Sequence, residues 1–183
     1  MMTILSAVLA TAILGSPADS IIVSTNWLAQ HLADPATVVL QVDHDEAAYR
    51  EAHIPGARYL PYMSVITSRD GLSTEVPDVA AVQALFESLG VSTGSHVVLY
   101  GPSVMVSRAF VALDYIGKSN VSVLNGGLKK WRDEGRAVSR EVPRVGRGHL
   151  EAVAHPERIV TADWVRSRMG RPGDRAHRHA DRR

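Results

Sequence analysis

The chain contains no cysteine among its 183 residues. This absence excludes disulfide bonds, thiolate metal ligands and thiol catalysis by any of its residues, while it leaves the redox compartment open. Hydrophobic residues make up 45% of the chain and charged residues 21%, which favours a globular protein over a disordered or fibrous one. The length allows one domain of ordinary size together with additional segments.

The first 49 residues contain neither lysine nor arginine. Residues 4–14 form an apolar stretch of 11 residues, which is too short to span a bilayer and has the length of a signal-peptide core. Ser16 and Ala18 place small residues where signal peptidases read them. Residues 1–18 therefore predict a signal peptide, and a periplasmic or secreted protein without a membrane span. Because the usual positive charge is missing, an N-terminal helix or a misplaced start codon, with a cytoplasmic protein, is the alternative.

Acidic and basic residues are distributed unevenly, although the net charge is only +1. Residues 1–139 contain 9 Lys and Arg against 13 Asp and Glu, whereas residues 140–183 contain 11 against 6. The basic segment lacks interleaved aromatic residues and helical spacing, so it predicts no nucleic-acid partner. His177 and His179 have the spacing of metal ligands, but their neighbours are typical of a disordered tail, and we expect no metal and no other cofactor.

A strand, a turn and a helix between residues 95 and 116 organise the rest of the chain. Residues 97–100 form a short β-branched apolar run, which is typical of a strand buried on both faces. From Val106 onwards the apolar residues recur with helical spacing. The turn between them aims free main-chain N–H groups and the positive helix end at one point, which predicts an anion-binding loop. The residues of this loop are Gly101, Pro102, Ser103, Val104, Met105 and Val106.

Other short apolar strands alternate with helical segments, and residues 67–77 are predicted as a loop. This alternation predicts an α/β domain with a mainly parallel sheet, in which ligands bind beyond the carboxyl ends of the strands. Asp43, Gly101 and Asn125 each follow a strand, so this edge is the predicted site. Arg108 lies one turn into the following helix, where contact with an anionic ligand and exposure to solvent are equally compatible with its position.

A short sequence recurs after 137 positions. Ile-Val-Ser-Thr-Asn-Trp-Leu at residues 22–28 corresponds to Ile-Val-Thr-Ala-Asp-Trp-Val at residues 159–165, and Leu32 corresponds to Met169. A repeat of this period indicates a second copy of a whole domain.

The second copy is short of the apolar residues that a domain needs. After Gly170 no apolar residue larger than alanine or proline follows, so nothing there can form the next buried strand. We therefore expect a truncated or frame-shifted two-domain protein. Residues 142–158 are then a linker, and residues 159–183 begin the second domain and end in a basic, disordered tail.

Four segments carry a family resemblance. They are the strand that ends at Asp43, residues 49–57 with His-Ile-Pro-Gly-Ala, the strand 97–100, and residues 123–131 with Leu-Asn-Gly-Gly. Together they resemble the rhodanese family of sulfurtransferases, in particular its tandem thiosulfate and 3-mercaptopyruvate types. The resemblance implies a rhodanese-like domain at residues 19–141, with a three-layer α/β fold in which helices flank a mainly parallel central sheet.

The resemblance also shows where the chain departs from the catalytic members of the family. In those members the residue after the strand is a cysteine that carries sulfur as a persulfide, and the matching position here is Gly101. Pro102 replaces the basic residue that commonly follows the cysteine, and Asp45 replaces the arginine of an Asp-x-Arg pattern that starts at Asp43. The resemblance therefore implies that the pocket persists as a shape while its thiolate chemistry is missing.

Two functions from different classes follow. The first is the non-catalytic domain of a tandem sulfurtransferase, inactive alone, whose partner is a catalytic second rhodanese domain. The second is a stand-alone binding or regulatory module, which holds a small sulfur-containing anion or a protein partner at the empty loop or its rim. A non-functional relic is the third and weakest alternative.

The remaining candidate residues have structural interpretations. We expect His53 to pack and hydrogen-bond within its Ile-Pro-Gly turn, because no nucleophile is present for it to activate. Asp43 is expected at the rim of the pocket, where it accepts main-chain N–H bonds and holds loops together. Ser103 does not match a nucleophile elbow, since Met105 stands where that motif requires glycine.

Overall fold

The computed structural model describes residues 21–169. The predicted signal peptide at 1–18 and the tail at 170–183 lie outside the described residues. Within the described range the strands are β1 (Ile22–Val23), β2 (Thr37–Asp43), β3 (Arg58–Pro61), β4 (Thr67–Arg69), β5 (Leu72–Glu75), β6 (His96–Tyr100) and β7 (Val121–Leu124). The helices are α1 (Thr25–His31), α2 (Glu46–Glu51), α3 (Val79–Ser88), α4 (Ser103–Tyr115), α5 (Gly127–Asp133) and α6 (Ala162–Arg168). None of these helices is long and apolar enough to cross a membrane.

Five parallel strands form the central sheet, in the order β1-β7-β6-β2-β3. All five residues of β6, which lies at the centre, are buried. Val97 and Leu99 of β6 face one hydrophobic cluster with α3 and α4, while Val98 and Tyr100 face a second cluster with α1 and α5. A strand with an apolar cluster on each face explains the continuous β-branched run. The predicted three-layer α/β fold with a mainly parallel sheet is confirmed.

Residues 67–77, predicted as a loop, contain a separate antiparallel hairpin of β4 and β5, so that prediction was wrong. Asp70 and Gly71 connect the two strands with φ angles of +52° and +80°. An Asp-Gly pair with two positive φ angles is the preferred two-residue hairpin turn. The strands themselves are polar and exposed, which is why the hydrophobic pattern did not reveal them.

Helix α4 begins three residues earlier than the apolar spacing predicted. Pro102 has a φ of −58°, and its carbonyl oxygen accepts hydrogen bonds from the N–H groups of Met105 and Val106, each at 3.0 Å. A fixed φ near the helical value and two N–H donors to one carbonyl start the helix at once. Four of the six residues predicted as a loop are therefore its first turn, and only Gly101 and Pro102 connect β6 to α4.

The second half of the segment predicted as a linker packs against the domain. Leu150 is 1% exposed, and its main-chain N–H donates to Glu87 Oε1 at 3.1 Å. Arg147 pairs with Glu87 Oε2 at 2.7 Å, and the N–H of His155 donates to the Tyr115 carbonyl at 2.8 Å. Residues 147–155, which we call the strap, thus hold the chain against the ends of α3 and α4.

Helix α6 copies the local structure of α1 without its packing. Ser24 Oγ accepts from the N–H of Trp27 at 3.1 Å, and Thr161 Oγ1 accepts from the N–H of Trp164 at the same distance. The two capping residues also share their conformation, with φ and ψ of −81° and 159° at the first helix and −77° and 158° at the second. Burial separates the two copies, because Leu28 is fully buried whereas its counterpart Val165 is 43% exposed.

Candidate functional site

A cavity of about 630 Å³ opens at the carboxyl edge of the central sheet, where the sequence placed the site. Its size lies in the range of about 300–1,000 Å³ that small-molecule sites occupy. Gln41 and Tyr100 form the floor, because these neighbouring residues of β2 and β6 project from the same face of the sheet. Helices α2 and α5 form two walls, and the start of α4 lies at the third side. Its lining includes Gln41, Asp43, Glu51, Gly101, Ser103 and Arg132.

Gly101 occupies a backbone conformation that a side chain would disturb. Its φ is +142°, and a Cβ built on it would overlap the carbonyl oxygen of Val42 in the neighbouring strand. The position that follows β6 therefore accepts glycine only, unless the main chain moves. The cavity begins directly beside it, so this edge of the pocket is formed by main chain.

The first turn of α4 presents free donors next to Gly101. The N–H groups of Ser103 and Val104 have no hydrogen-bond acceptor within residues 21–169. Ser103 lines the cavity, and α4 is 13 residues long, so a helix dipole adds to the positive character of these donors. Val104 carries its side chain away to solvent, with 73% of it exposed.

Asp43 lies where the sequence analysis placed it, at the end of β2 and on the cavity wall. Its Oδ1 accepts hydrogen bonds from the N–H groups of His44 at 2.7 Å and of Asp45 at 3.3 Å. Tyr59 donates its hydroxyl hydrogen to the Asp43 carbonyl oxygen at 3.0 Å. The carboxylate thus holds the turn that leads into α2.

His53 does not line the cavity. It is fully buried, with Nδ1 2.8 Å from the Tyr49 carbonyl oxygen and Nε2 3.0 Å from the Glu141 carbonyl oxygen. Its ring stacks on the Tyr49 ring at 4.2 Å, and its main chain pairs with Ser139. These contacts join the turn after α2 to the segment that follows α5.

Arg108 and Asn125 also lie outside the lining of the main cavity. Arg108 faces a smaller groove between α4 and the hairpin, where its guanidinium donates to the Thr74 carbonyl oxygen. Asn125 donates its main-chain N–H to the Val23 carbonyl oxygen at 2.9 Å. The Gly126 that follows lines the cavity with a φ of +77°, a conformation that favours glycine.

The floor of the cavity contains two polar residues that the sequence analysis missed. Tyr100 donates its hydroxyl hydrogen to Gln41 Oε1 at 2.8 Å and accepts from the N–H of Ile54 at 3.1 Å. Burial raises the pKa of Tyr100 well above its ordinary value, so the hydroxyl remains a donor. Gln41 is only 5% exposed, and its Nε2 has no partner among the described residues. The signal available was a lone polar residue within the apolar strand 37–42.

Charged side chains line the walls with both signs. Glu51 of α2 and Asp43 are acidic, and Lys129 and Arg132 of α5 are basic. Lys129 pairs with Asp133 at 2.6 Å. No cluster of three or more His, Asp or Glu that could hold a metal occurs in the described part of the chain. The site is a cavity with a polar floor and charged walls, beside the free main-chain N–H groups of α4.

The fold is a three-layer α/β domain with a parallel sheet, and its cavity lies at the strand ends beside the two-residue connection into α4. These features are those of a recognised domain family. The family model described as "Rhodanese-like domain" matches residues 24–134. The chain therefore belongs to the rhodanese-like domain family, and the resemblance found in its motifs is confirmed.

Relatives with assigned functions extend this result. The chain is 36% identical over 151 residues to the "Sulfur carrier protein TtuD" of Thermus thermophilus, covering 80% of this chain and 51% of the relative. It is 30% identical over 152 residues to the thiosulfate sulfurtransferase of Pseudomonas aeruginosa, covering 82% and 56%. The chain thus spans about half the length of these curated relatives. It is a rhodanese domain related to sulfurtransferases.

The crystal structure of SseA from Escherichia coli, described as a 3-mercaptopyruvate sulfotransferase, superposes with a TM-score of 0.69. Sequence identity is 25%, and the match covers 81% of this chain and 61% of SseA. This likeness agrees with the topology and layers described above.

Proposed function

We propose that this chain supplies the non-catalytic rhodanese domain of a two-domain sulfurtransferase of the thiosulfate or 3-mercaptopyruvate type. The observation that carries the proposal is Gly101, which occupies the position after β6 and lies against the Val42 carbonyl. Sulfur transfer through a persulfide needs a thiolate at the pocket, and the chain has no cysteine at all.

The other nucleophile candidates at the pocket do not replace a thiolate. Ser103 lines the cavity, but the buried ring of His53 binds two main-chain carbonyls and does not line it. A serine hydroxyl without a positioned base is a weak nucleophile. The pocket is therefore expected to be inert in sulfur transfer.

Residues 159–169 support a second domain as the partner. They reproduce the strand sequence, the cap and the helix that open the first domain, while the side chains of Trp164 and Val165 are 46% and 43% exposed. We propose that they begin a second rhodanese domain, which carries the catalytic cysteine. The length of the curated relatives agrees with this organisation.

The direct test is a cyanide assay on the purified chain. Thiosulfate and 3-mercaptopyruvate are supplied in turn as sulfur donors, with a cysteine-containing thiosulfate sulfurtransferase as the positive control. We expect no thiocyanate above the enzyme-free blank. Turnover with either donor would refute the proposal. Reading the coding region downstream of Met169 in all three frames tests the second domain, and the absence of any sequence similar to residues 33–140 would count against it.

A stand-alone binding module is the second candidate, and the observation that favours it is the intact cavity. The free Nε2 of Gln41 and the free N–H groups of α4 are hydrogen-bond donors that a bound anion, including a small sulfur-containing one, would satisfy. Calorimetric titration of the chain with thiosulfate tests this candidate. Saturable binding is expected, and its absence would leave the anion site without support.

We propose in addition that the protein is exported to the periplasm or secreted. The proposal rests on the apolar stretch 4–14 and the small residues after it. Fusing residues 1–25 to a reporter that is active only after export tests it. A reporter that stays inactive and uncleaved would favour the cytoplasmic alternative.

A further inference from the structure

Two unpaired side chains of opposite charge line the cavity from different walls. Glu51 lies on α2, which packs over β2 and β3, whereas Arg132 lies on α5, which follows β7 and packs against α1. Strand β6 separates these two helices in the sheet order. Within residues 21–169 neither side chain forms an ion pair, with the other or with any further group.

The polar floor and the first turn of α4 line the same cavity. Gln41 lines the cavity and is only 5% exposed, and its Nε2 is a hydrogen-bond donor. Ser103, an exposed residue whose main-chain N–H has no acceptor within residues 21–169, lines the same cavity. A buried side chain whose amide nitrogen has no partner and faces a cavity indicates an acceptor group in the ligand.

Six further residues of the lining are apolar. They come from α2, α4, β7 and α5, and are Ala48, Ala52, Val106, Val123, Leu124 and Leu128. A ligand in this space therefore carries an apolar body as well as charged ends. A simple inorganic anion would leave both this surface and the acidic wall without a partner.

We propose that the cavity binds an apolar amino acid as a zwitterion. Its carboxylate lies towards Arg132 and accepts from the Gln41 amide and the Ser103 N–H, and its ammonium lies towards Glu51 and Asp43. Charge-assisted hydrogen bonds of this kind contribute more than neutral ones, so both charged ends count in recognition. The proposal deepens the second candidate function, because it rests on the cavity being a binding site and names its ligand class.

Calorimetric titration of the full chain compares L-leucine with three probes. These are 4-methylpentanoate, which lacks the ammonium group, 3-methylbutylamine, which lacks the carboxylate, and thiosulfate. We expect L-leucine to bind about tenfold more tightly than each of the other three, since one lost charge-assisted contact corresponds to roughly that factor.

Two variants test which side chain binds the ammonium group of the ligand and which binds its carboxylate. Glu51→Gln is expected to weaken L-leucine binding about tenfold and to leave 4-methylpentanoate unchanged. Arg132→Gln is expected to weaken both. Glu141→Gln is the matched control, because Glu141 is exposed and lies outside the cavity. This variant should bind L-leucine as the parent chain does. Thermal unfolding of each variant confirms that the fold is retained.

The outcomes distinguish a failure of the zwitterion proposal from a failure of the binding-module function on which it rests. If thiosulfate or 4-methylpentanoate binds as tightly as L-leucine, the zwitterion proposal is overturned while the binding module stands. If none of the four probes binds, both are overturned. Unchanged L-leucine affinity in folded Glu51→Gln likewise refutes the assignment of the acidic wall.

Discussion

Gly101 lies so close to the main chain of Val42 that a Cβ on residue 101 would overlap the Val42 carbonyl oxygen. The family resemblance matches this position to the catalytic cysteine, and here the neighbouring strand closes it to a side chain. The main-chain conformation at this position thus excludes a thiol side chain, in addition to the residue type.

Gly101→Cys is expected to remain inactive in thiocyanate formation and to destabilise the domain by about 1–3 kcal/mol, because the backbone must leave its present conformation to admit Cβ. Urea unfolding and the cyanide assay measure the two effects. Gly94→Ala is the control, since Gly94 has open space around its Cβ position, and it should unfold at an unchanged midpoint. A stable, active Gly101→Cys variant would contradict the closed geometry.

Tyr100→Phe removes the hydroxyl that links Gln41 Oε1 and the Ile54 N–H beneath the cavity. We expect a loss of about 1–3 kcal/mol in the free energy of unfolding, because two buried polar groups lose their partner. Tyr62→Phe is the comparison, since the Tyr62 hydroxyl makes no hydrogen bond to the described residues, and it should change stability little. Equal effects of the two substitutions would show that the Tyr100 hydroxyl contributes nothing specific.

Lowering the pH should weaken the stabilising contacts between the strap and Glu87. Hydrogen bonds from the Leu150 N–H, and then from Arg147 and Gln83, lower the pKa of Glu87 from 4.5 to about 2. Between these values the unfolded chain binds more protons than the folded one, so the stabilising contribution is complete above pH 4.5 and is lost as the pH falls towards 2.

Urea unfolding of the parent chain and of Glu87→Gln across this pH interval measures the contribution. The free energy of unfolding of Glu87→Gln should be lower than that of the parent chain at neutral pH, and it should decrease less as the pH falls. Glu141→Gln is the control, because its side chain is exposed, and it should keep the parent slope. Parallel curves for the parent chain and Glu87→Gln would rule out the linkage.

Matched side-chain truncations in the two copies of the repeat should have very different effects on the free energy of unfolding. Leu28→Ala opens a fully buried site and is expected to cost about 2–5 kcal/mol of unfolding free energy. Val165→Ala removes a side chain that is 43% exposed, and a change within about 0.5 kcal/mol is expected. Chemical unfolding of the two variants checks the comparison. A large loss in Val165→Ala would mean that α6 packs against the domain.

Some of the predicted site residues line the cavity and others do not. The ends of β2 and β6 come together because parallel strands end at one edge, so Asp43 and Gly101 both line the cavity as their positions after strands indicated. Asn125 also follows a strand, yet its described contact is a main-chain bond to Val23. His53 and Arg108 bind carbonyl groups far along the chain, which no local pattern contains.

The amino-acid sequence by itself determined that no thiolate is available, that strands alternate with helices around a buried central strand, and that residues 159–165 repeat residues 22–28. Those properties depend on residue chemistry and local periodicity, which a linear chain displays directly. Only the tertiary structure decided that Val42 closes position 101, that the Gln41 amide opens into a cavity, and that the strap covers Glu87. Each of these contacts joins residues distant in the chain, and they meet only because the sheet aligns β2 with β6 and packs helices on both faces.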